Sequence, residues 1–384
     1  MSVSETDTKT SVFERMSLAA ARHDAVNLGQ GFPDFGWRQE LIDAASDALR
    51  NGSNQYAPSR GLGELREAVA GHYGRHHGVA LTPDHVCVTS GATEAIAAAI
   101  FATIAPGDEV ILLTPAYDAY APLIRRAGGV VREVSLQPPQ WRIDATAVGA
   151  AVSARTRAII FNNPHNPTGR QFDADDCAVV AAVAEANDLV VIADEVWEHV
   201  LLDGQRFTPF AALPGMDRRT FKCGSAGKIF SLTGWKVGWL VAAPELAARA
   251  ARVHQFLTFA TPPNLQSAVA FGLNQGDAWL EAMRSGFARA RDRLTEGVRA
   301  AGYAVLPSAS TYFQCIDLAA SGIGVDDETF ARRAVEEAGV AVIPLSPFSD
   351  SGMPGHMVRL CFAKREETID AGIAAMARAR ALFV

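Results

Sequence analysis

Between residues 84 and 243 the chain alternates short β-branched runs with Ala-rich segments of helical length. The runs are VCVTS (86–90), EVILLTP (109–115), VREVSL (131–136), TRAIIFNNP (156–164), LVVIADE (189–195), TFKCGS (220–225) and VGWLVA (237–242). Runs this apolar, separated by helices, read as strands buried on both faces, so the pattern predicts an α/β domain with a mostly parallel seven-stranded sheet. The last hundred residues read differently. A helix over 285–301 stops at Gly302, a suitable C-cap. Strands YAVLP and TYFQCIDL follow, then a helix over 327–338, strands VAVIP and MVRLCFA, and a last helix over about 366–382. This predicts a smaller α+β domain. The expected division is an N-terminal segment (1–45) packing with the small domain, a large domain (46–280) and a small C-terminal domain (281–384).

Composition narrows the class. The chain has 384 residues, 49% hydrophobic and 20% charged, which is a globular composition able to form a core without disulfides or a structural metal. A formal net charge of −7 argues against a nucleic-acid partner but leaves room for a small anionic ligand. Cys87, Cys177, Cys223, Cys315 and Cys361 are widely spaced and form no C-x-x-C, so buried free thiols in a reducing compartment are expected. The polar N-terminus lacks the apolar core of a secretory signal, and the longest apolar stretch, Ala95 to Ala105, is too short for a bilayer. These readings point to a cytoplasmic protein with no membrane partner.

In open parallel sheets, ligands sit beyond the carboxyl ends of the strands. The polar residues expected there are Ser90 to Thr93, Tyr117, Asn162 to Asn166, Asp194-Glu195, Ser225 and Lys228. They suit a phosphorylated, cationic aromatic ring that reacts with an amine. VTSGATEAIAAAI reads as strand, small-residue turn and helix, and a helix N-terminus offers free N–H groups to a phosphate. The same sequence also suits an ordinary cap. Asp194 ends an apolar strand, where a carboxylate faces either a local cap or a cation such as a pyridinium nitrogen. Lys228 lies among Gly, Ser, Ala, Ile and Phe, surroundings that desolvate an amine and make it nucleophilic. Lys236 adds positive charge for a phosphate. Competing motifs fail. GSAGKI lacks the Ser/Thr and upstream spacing of a phosphate loop, GLGELR is not G-x-G-x-x-G, and no G-x-S-x-G or H-E-x-x-H occurs. No metal is expected, and adjacent His76 and His77 read as a solvated helix end.

Together these segments resemble the class I/II aminotransferases of pyridoxal 5'-phosphate (PLP) fold type I. The resemblance runs in order through NLGQGFPDF, NQYAPSRGLGELREA, VTSGATEA, PAYDAY, NNPHNPTG, ADEVWEH, SAGKIFSLTGWKVGW and VRLCFAK. HQFLTFATPP and AVIPLSPF carry it toward the methionine and kynurenine (glutamine) aminotransferases, with the succinyldiaminopimelate aminotransferases almost as near. The resemblance implies that Lys228 forms the Schiff base with PLP and moves the proton, and that Asp194 holds the pyridinium nitrogen. It implies that Asn166 bonds the ring oxygen, that Tyr117 stacks on the ring, and that Gly91, Ala92, Thr93, Ser225 and Lys236 surround the phosphate. Arg359 would clamp the substrate carboxylate, helped by Gly31 and Asn166. Tyr56 would reach the phosphate of a neighbouring subunit and Phe259 would line the neighbour's pocket, which implies a homodimer with shared sites. Trp197 stands where the family has tyrosine, next to the ring oxygen.

The activity this implies is transfer of an amino group from a methionine, aromatic, kynurenine or glutamine type donor to a 2-oxo acid. Transamination of N-succinyldiaminopimelate and β-elimination from cysteine S-conjugates are the alternatives on the same scaffold. A non-catalytic sensor domain would need a fused DNA-binding region.

Overall fold

The computed structural model describes residues 11–35, 38–353 and 355–384. Residues 1–10, which carry most of the polar N-terminal stretch, lie outside them. The predicted seven-stranded sheet is present. Its strands are β1 (Val86–Ser90), β2 (Glu109–Thr114), β3 (Val130–Ser135), β4 (Thr156–Asn162), β5 (Val190–Asp194), β6 (Thr220–Ser225) and β7 (Val237–Val241). They lie in the order β1-β7-β6-β5-β4-β2-β3. All neighbours are parallel except those of β7, which runs antiparallel to β1 and β6.

The double burial that makes these runs legible has a direct cause. Alternate residues point to opposite faces of a strand. Ile111, Ile159 and Val191 pack on one face with Val148 and Val180, while Val110, Ile160 and Ile192 pack on the other with Ile96, Ile100, Ala247 and Ala250. Helix Ala174–Ala186 therefore covers one face, and helices Gly91–Thr103 and Pro244–Leu257 cover the other.

Strand direction gathers the polar residues. The carboxyl ends of β1, β4, β5 and β6 deliver Ser90, Asn162, Asp194 and Ser225 to one edge. Because β7 runs the other way, its beginning lies at that edge, with Val237 opposite Ser90 and Gly238 opposite Ser225. Lys236, immediately before β7, joins them.

A second sheet holds β8 (Ala304–Val305), β9 (Phe313–Asp317), β10 (Ile343–Pro344) and β11 (Met357–Cys361) in the order β10-β11-β9-β8, all antiparallel. The run VAVIP, expected as one strand, is divided. Val340–Ala341 pairs in parallel with Val26–Asn27, and only Ile343–Pro344 joins β11. Helix Val12–Arg22, capped by the Ser11 hydroxyl, sets Val12 against Ile343 and Phe348 and Ala20 against Val335 and Ala341. The helix expected over 285–301 begins at Ala278 and ends at Ala300, so the expected boundary at 280 falls inside it. The expected boundary at 45 falls inside helix Gln39–Asn51, whose Leu41 packs with Phe230 and Leu273 of the larger part.

Among the described residues, no helix is long and apolar enough to cross a membrane.

Candidate active site

At the gathered edge lies a cavity of about 470 Å3. Twelve of the residues singled out in the sequence line it: Gly31, Gly91, Ala92, Thr93, Tyr117, Asn166, Asp194, Trp197, Ser225, Lys228, Lys236 and Arg359. Tyr56 and Phe259 do not. Their rings meet edge to face at 5.5 Å on the outer surface, with Tyr56 88% exposed.

One corner suits a phosphate. Helix Gly91–Thr103 opens there with small residues, so its first N–H groups and positive dipole end face the cavity. Gly91 has φ +75°, and a Cβ on it would lie 3.1 Å from Lys236 Nζ. Lys236 takes the left-handed conformation (φ 55°), which turns it from a short 3-10 turn into β7. A Cβ on Gly238 would lie 2.6 Å from the Gly91 carbonyl carbon and 2.7 Å from the Ala92 nitrogen, both backbone atoms. Only glycine lets the sheet approach the helix start this closely.

Lys228 follows β6 on the one-turn helix Ala226–Ile229. Its Nζ donates to the Tyr312 hydroxyl at 3.1 Å and sits 4.6 Å from the centre of the Trp197 ring. Burial lowers the amine's pKa to about 8, with Arg359 and Lys236 pushing the same way against Cys361 and Asp194. Lys222, on β6 itself, makes the opposite case. It is buried too, but it pairs with Glu198 at 2.9 Å and Glu195 at 3.1 Å and so stays charged. Among the described residues, Lys228, Lys236 and Arg359 have no carboxylate partner. Three unpaired cations around one cavity make a site for anions.

Asp194 closes β5. Burial pushes its carboxyl pKa up, opposed by hydrogen bonds from the Tyr120 hydroxyl and the Val196 N–H. A buried carboxyl held this way is completed by a cation in the cavity. Asn162 fixes the neighbourhood: its amide donates to the Asp194 carbonyl at 2.8 Å, and its Oδ1 accepts the Asn166 N–H at 2.8 Å.

Arg359, in the middle of β11, is 1% exposed. Its Nη1 donates to Asn166 Oδ1 at 2.8 Å and its Nη2 to the Gly29 carbonyl at 3.1 Å, while Nε is buried without a partner. The guanidinium lies 3.8 Å over the Phe313 ring and 4.9 Å from the Phe13 ring. Burial lowers its pKa to about 10, which still leaves a cation at neutral pH. A buried guanidinium with no carboxylate in salt-bridge contact suits a carboxylate brought by a ligand, and Asp118, which lines the same cavity, is the nearest acid that acts on it. The donor set thus fits PLP and an amino acid together: a helix start with Lys236 for phosphate, Asp194 for the ring nitrogen, Lys228 for the aldehyde carbon, Arg359 for the carboxylate.

Sequence reasoning missed three contributors. Asn162 was expected at this edge, but Tyr120 was passed over beside Tyr117. Tyr312 was read as an ordinary residue of the strand TYFQCIDL, but the strand starts at Phe313, and Thr311 at φ +61° turns Tyr312 toward Lys228. Phe13, from the N-terminal helix, carried no chemical signal.

The histidine expectation is corrected. His76 and His77 do not form a solvated helix end. They pack with His72 and His199, whose Nε2 atoms are 2.7 Å apart, in a polar cluster behind the sheet. Tertiary packing against the segment after β5 hides them. His77, Glu198 and His199 bring ligand atoms within 4.8 Å of one another. Lys222 nevertheless already occupies Glu198, so a divalent ion there would meet an ammonium group.

Comparison with known proteins defines the class. A family model described as aminotransferase class I and II matches residues 23–376. The chain is 44% identical over 377 residues to a probable N-succinyldiaminopimelate aminotransferase of Mycobacterium tuberculosis, covering 95% of this chain and 94% of that one. It is 39% identical over 374 residues to the methionine aminotransferase of Escherichia coli, covering 97% and 96%. The solved structure of the M. tuberculosis N-succinyldiaminopimelate aminotransferase superposes with a TM-score of 0.95 at 43% identity, covering 99% of this chain and 100% of that one. The fold is that of a PLP-dependent enzyme of fold type I. The chain belongs to the class I and II aminotransferases and is a PLP-dependent aminotransferase.

Proposed function

We propose that this aminotransferase takes its amino group from a long, uncharged L-amino acid of the methionine, aromatic, kynurenine or glutamine type and passes it to a 2-oxo acid. The observation that carries this is the use of the cavity's cations. Lys228, Lys236 and Arg359 are each assigned by the cofactor and the α-carboxylate. Phe13, Phe32, Tyr117 and Phe313 make much of the remaining wall apolar, with Gln30 as a neutral polar group and Asp118 as a carboxyl whose pKa burial raises. Arg60, the candidate for a distal carboxylate, donates instead to the backbone carbonyls of Asp84 at 2.5 Å and Val86 at 3.4 Å.

PLP, when bound, supplies an electron sink for the bond broken at the substrate's Cα. The chain's own groups do the rest. Lys228 would hold the cofactor through Nζ, and its amine would move the proton at the substrate's Cα. Asp194 would keep the ring nitrogen charged, and Asn166, which accepts from Arg359, would also meet the ring oxygen. Tyr117 would cover the ring. Gly91, Ala92, Thr93, Ser225 and Lys236 would hold the phosphate. Arg359 and the Gly31 segment orient the carboxylate.

We propose a homodimer as the working unit. Tyr56, Phe256, Leu257 and Phe259 form an exposed apolar patch that a second copy would cover, bringing Tyr56 and Phe259 to the neighbour's site. Residues 46–280 would act as the cofactor domain and 281–384, with the N-terminal segment, as the part that carries Arg359 and closes on substrate. All five cysteines are buried and free, in keeping with a reducing compartment such as the cytoplasm.

A second reading, N-succinyldiaminopimelate as the donor, is favoured by the 44% identity to the M. tuberculosis protein. A donor panel tests the choice. The first reading requires kcat/KM for methionine or phenylalanine above that for aspartate and for N-succinyldiaminopimelate. The reverse order with N-succinyldiaminopimelate selects the second.

A further inference from the structure

Tyr312 is the group nearest the working amine that neither the sequence pattern nor the assignments above use. It is 1% exposed and lies just before β9, edge-on to Trp197 with ring centres 4.5 Å apart. Its hydroxyl is committed in both directions: it donates to the Gly31 carbonyl at 2.6 Å and accepts from Lys228 Nζ at 3.1 Å. The Gly31 carbonyl belongs to a segment that is itself shaped. Asn27 Oδ1 accepts the N–H groups of Gly29 and Gln30 at 3.0 and 2.9 Å, and the Gly29 carbonyl accepts from Arg359. A Cβ on Gly31 would lie 2.8 Å from Phe313, the ring under the Arg359 guanidinium. The lysine, the carboxylate clamp and the Gly29–Gly31 segment therefore share one frame, with Tyr312 as the member that touches the amine.

We propose that Tyr312 is a positioning residue for the transamination step, holding the Lys228 amine in register with the substrate's Cα whenever that amine is not bonded to the cofactor. The inference rests on the reading of Lys228 as the cofactor lysine. The geometry states how it works. Because the phenol proton is spent on Gly31, the oxygen lone pair takes an N–H of Lys228, which leaves the nitrogen lone pair free to point into the cavity. When the Cα–H bond breaks, its electron pair stays with carbon and its proton becomes a new N–H on Lys228. The existing N–H stays on Tyr312 and the phenol proton stays on Gly31, so no other proton moves. Burial holds the phenol's own pKa well above 10, so Tyr312 orients and does not itself titrate. Trp197, which offers Lys228 only an aromatic surface, leaves this hydroxyl as the amine's sole hydrogen-bond partner among the described residues.

Tyr312→Phe keeps the ring and removes the hydroxyl. Three readouts are taken. In steady state with methionine, kcat should fall about 10- to 100-fold with KM changed much less, at or below the low end of what a proton-transfer group itself contributes, because Tyr312 orients the amine and does not carry the proton. The isotope effect with α-deuterated methionine should rise, because proton removal becomes more rate-limiting. In the cofactor-free protein, competitive labelling of Lys228 across pH should give a lower amine pKa, because the charged form loses its acceptor. A residue that only packed would leave the isotope effect and the labelling curve unchanged, and that result overturns the proposal. If the variant does not fold, 3,5-difluorotyrosine at position 312 keeps the shape but weakens the oxygen as an acceptor. The labelling pKa should again fall, and an unchanged value overturns the proposal. Borohydride reduction of wild-type holoenzyme separates the two levels. An adduct on Lys228 with unchanged Tyr312→Phe readouts refutes Tyr312 alone, whereas an adduct on another lysine refutes the reading of Lys228 and this proposal with it.

Discussion

Arg359 Nη1 donates to Asn166 Oδ1 at 2.8 Å across 193 positions of sequence, joining the strand of the small sheet to the loop after β4. This bond fixes the guanidinium at the cavity wall. Arg359→Ala should therefore lower kcat/KM for every amino donor by a similar factor, equivalent to about 2–5 kcal/mol, the cost of removing one member of a buried charged contact. Arg359→Lys should recover only part of this, because an ammonium lacks the planar fork. A donor panel in which either variant matches the wild type would remove Arg359 from the carboxylate site.

The buried histidines set the acid limit of stability. Burial is the largest cause in each case: it lowers His165 and His199 to about 3 and His72 well below 6.5. The unfolded chain takes up protons near pH 6.5 that the native state refuses, so stability is complete above that pH and is lost as pH falls below it. Each histidine contributes about 1.4 kcal/mol per pH unit. Asp194 and Glu195, whose pKa values burial raises, oppose this in part. Urea unfolding between about pH 7 and pH 5 should show the decline, and His199→Asn should make it shallower. Equal slopes for the two proteins would rule out His199 as a source.

Gly238→Ala tests the contact between sheet and helix start. The new Cβ meets backbone atoms of Gly91 and Ala92 at 2.6 and 2.7 Å, so the phosphate corner must shift. Overpacking of this kind costs about 1–3 kcal/mol. Cofactor affinity should fall about tenfold or more, read from the absorbance of titrated PLP, while Tm of the cofactor-free protein falls by a few degrees. Wild-type affinity would place the phosphate elsewhere.

The large sheet was legible because its strands are β-branched runs buried on both faces, so composition alone marks them, and the start and end of β1 and β6 agree with the sequence reading residue for residue. The split of VAVIP was not legible. Half of it pairs with Val26–Asn27, more than 300 positions away, and no local pattern announces a partner so distant. The site divides the same way. Lys228, Asp194 and Asn166 stand in dense motifs at strand ends. Tyr312 reaches Lys228 only through the left-handed turn at Thr311, a residue with no special preference for it, and Phe13 arrives with a helix from the other end of the chain.

Trp197 touches the machinery through its ring, 4.6 Å from Lys228 Nζ and buried to 2% exposure. If position 197 meets the cofactor's ring oxygen, as the resemblance implies, Trp197→Tyr puts a phenol donor there. Stabilising that oxygen as an anion should lower the pH midpoint at which the bound cofactor's absorbance changes. Superimposable titrations for the two proteins would assign Trp197 to packing alone.

Lys228 has no carboxylate partner among the described residues, whereas Lys222, six residues earlier, is paired with two. Reducing the PLP-loaded protein with borohydride and mapping its peptides tests the assignment of Lys228 directly. The phosphopyridoxyl group should be found on Lys228 and nowhere else, and Lys228→Ala should keep the wild-type fold by circular dichroism while losing both the adduct and measurable transamination. An adduct on a different lysine, or turnover by Lys228→Ala near the wild-type rate, would contradict the assignment.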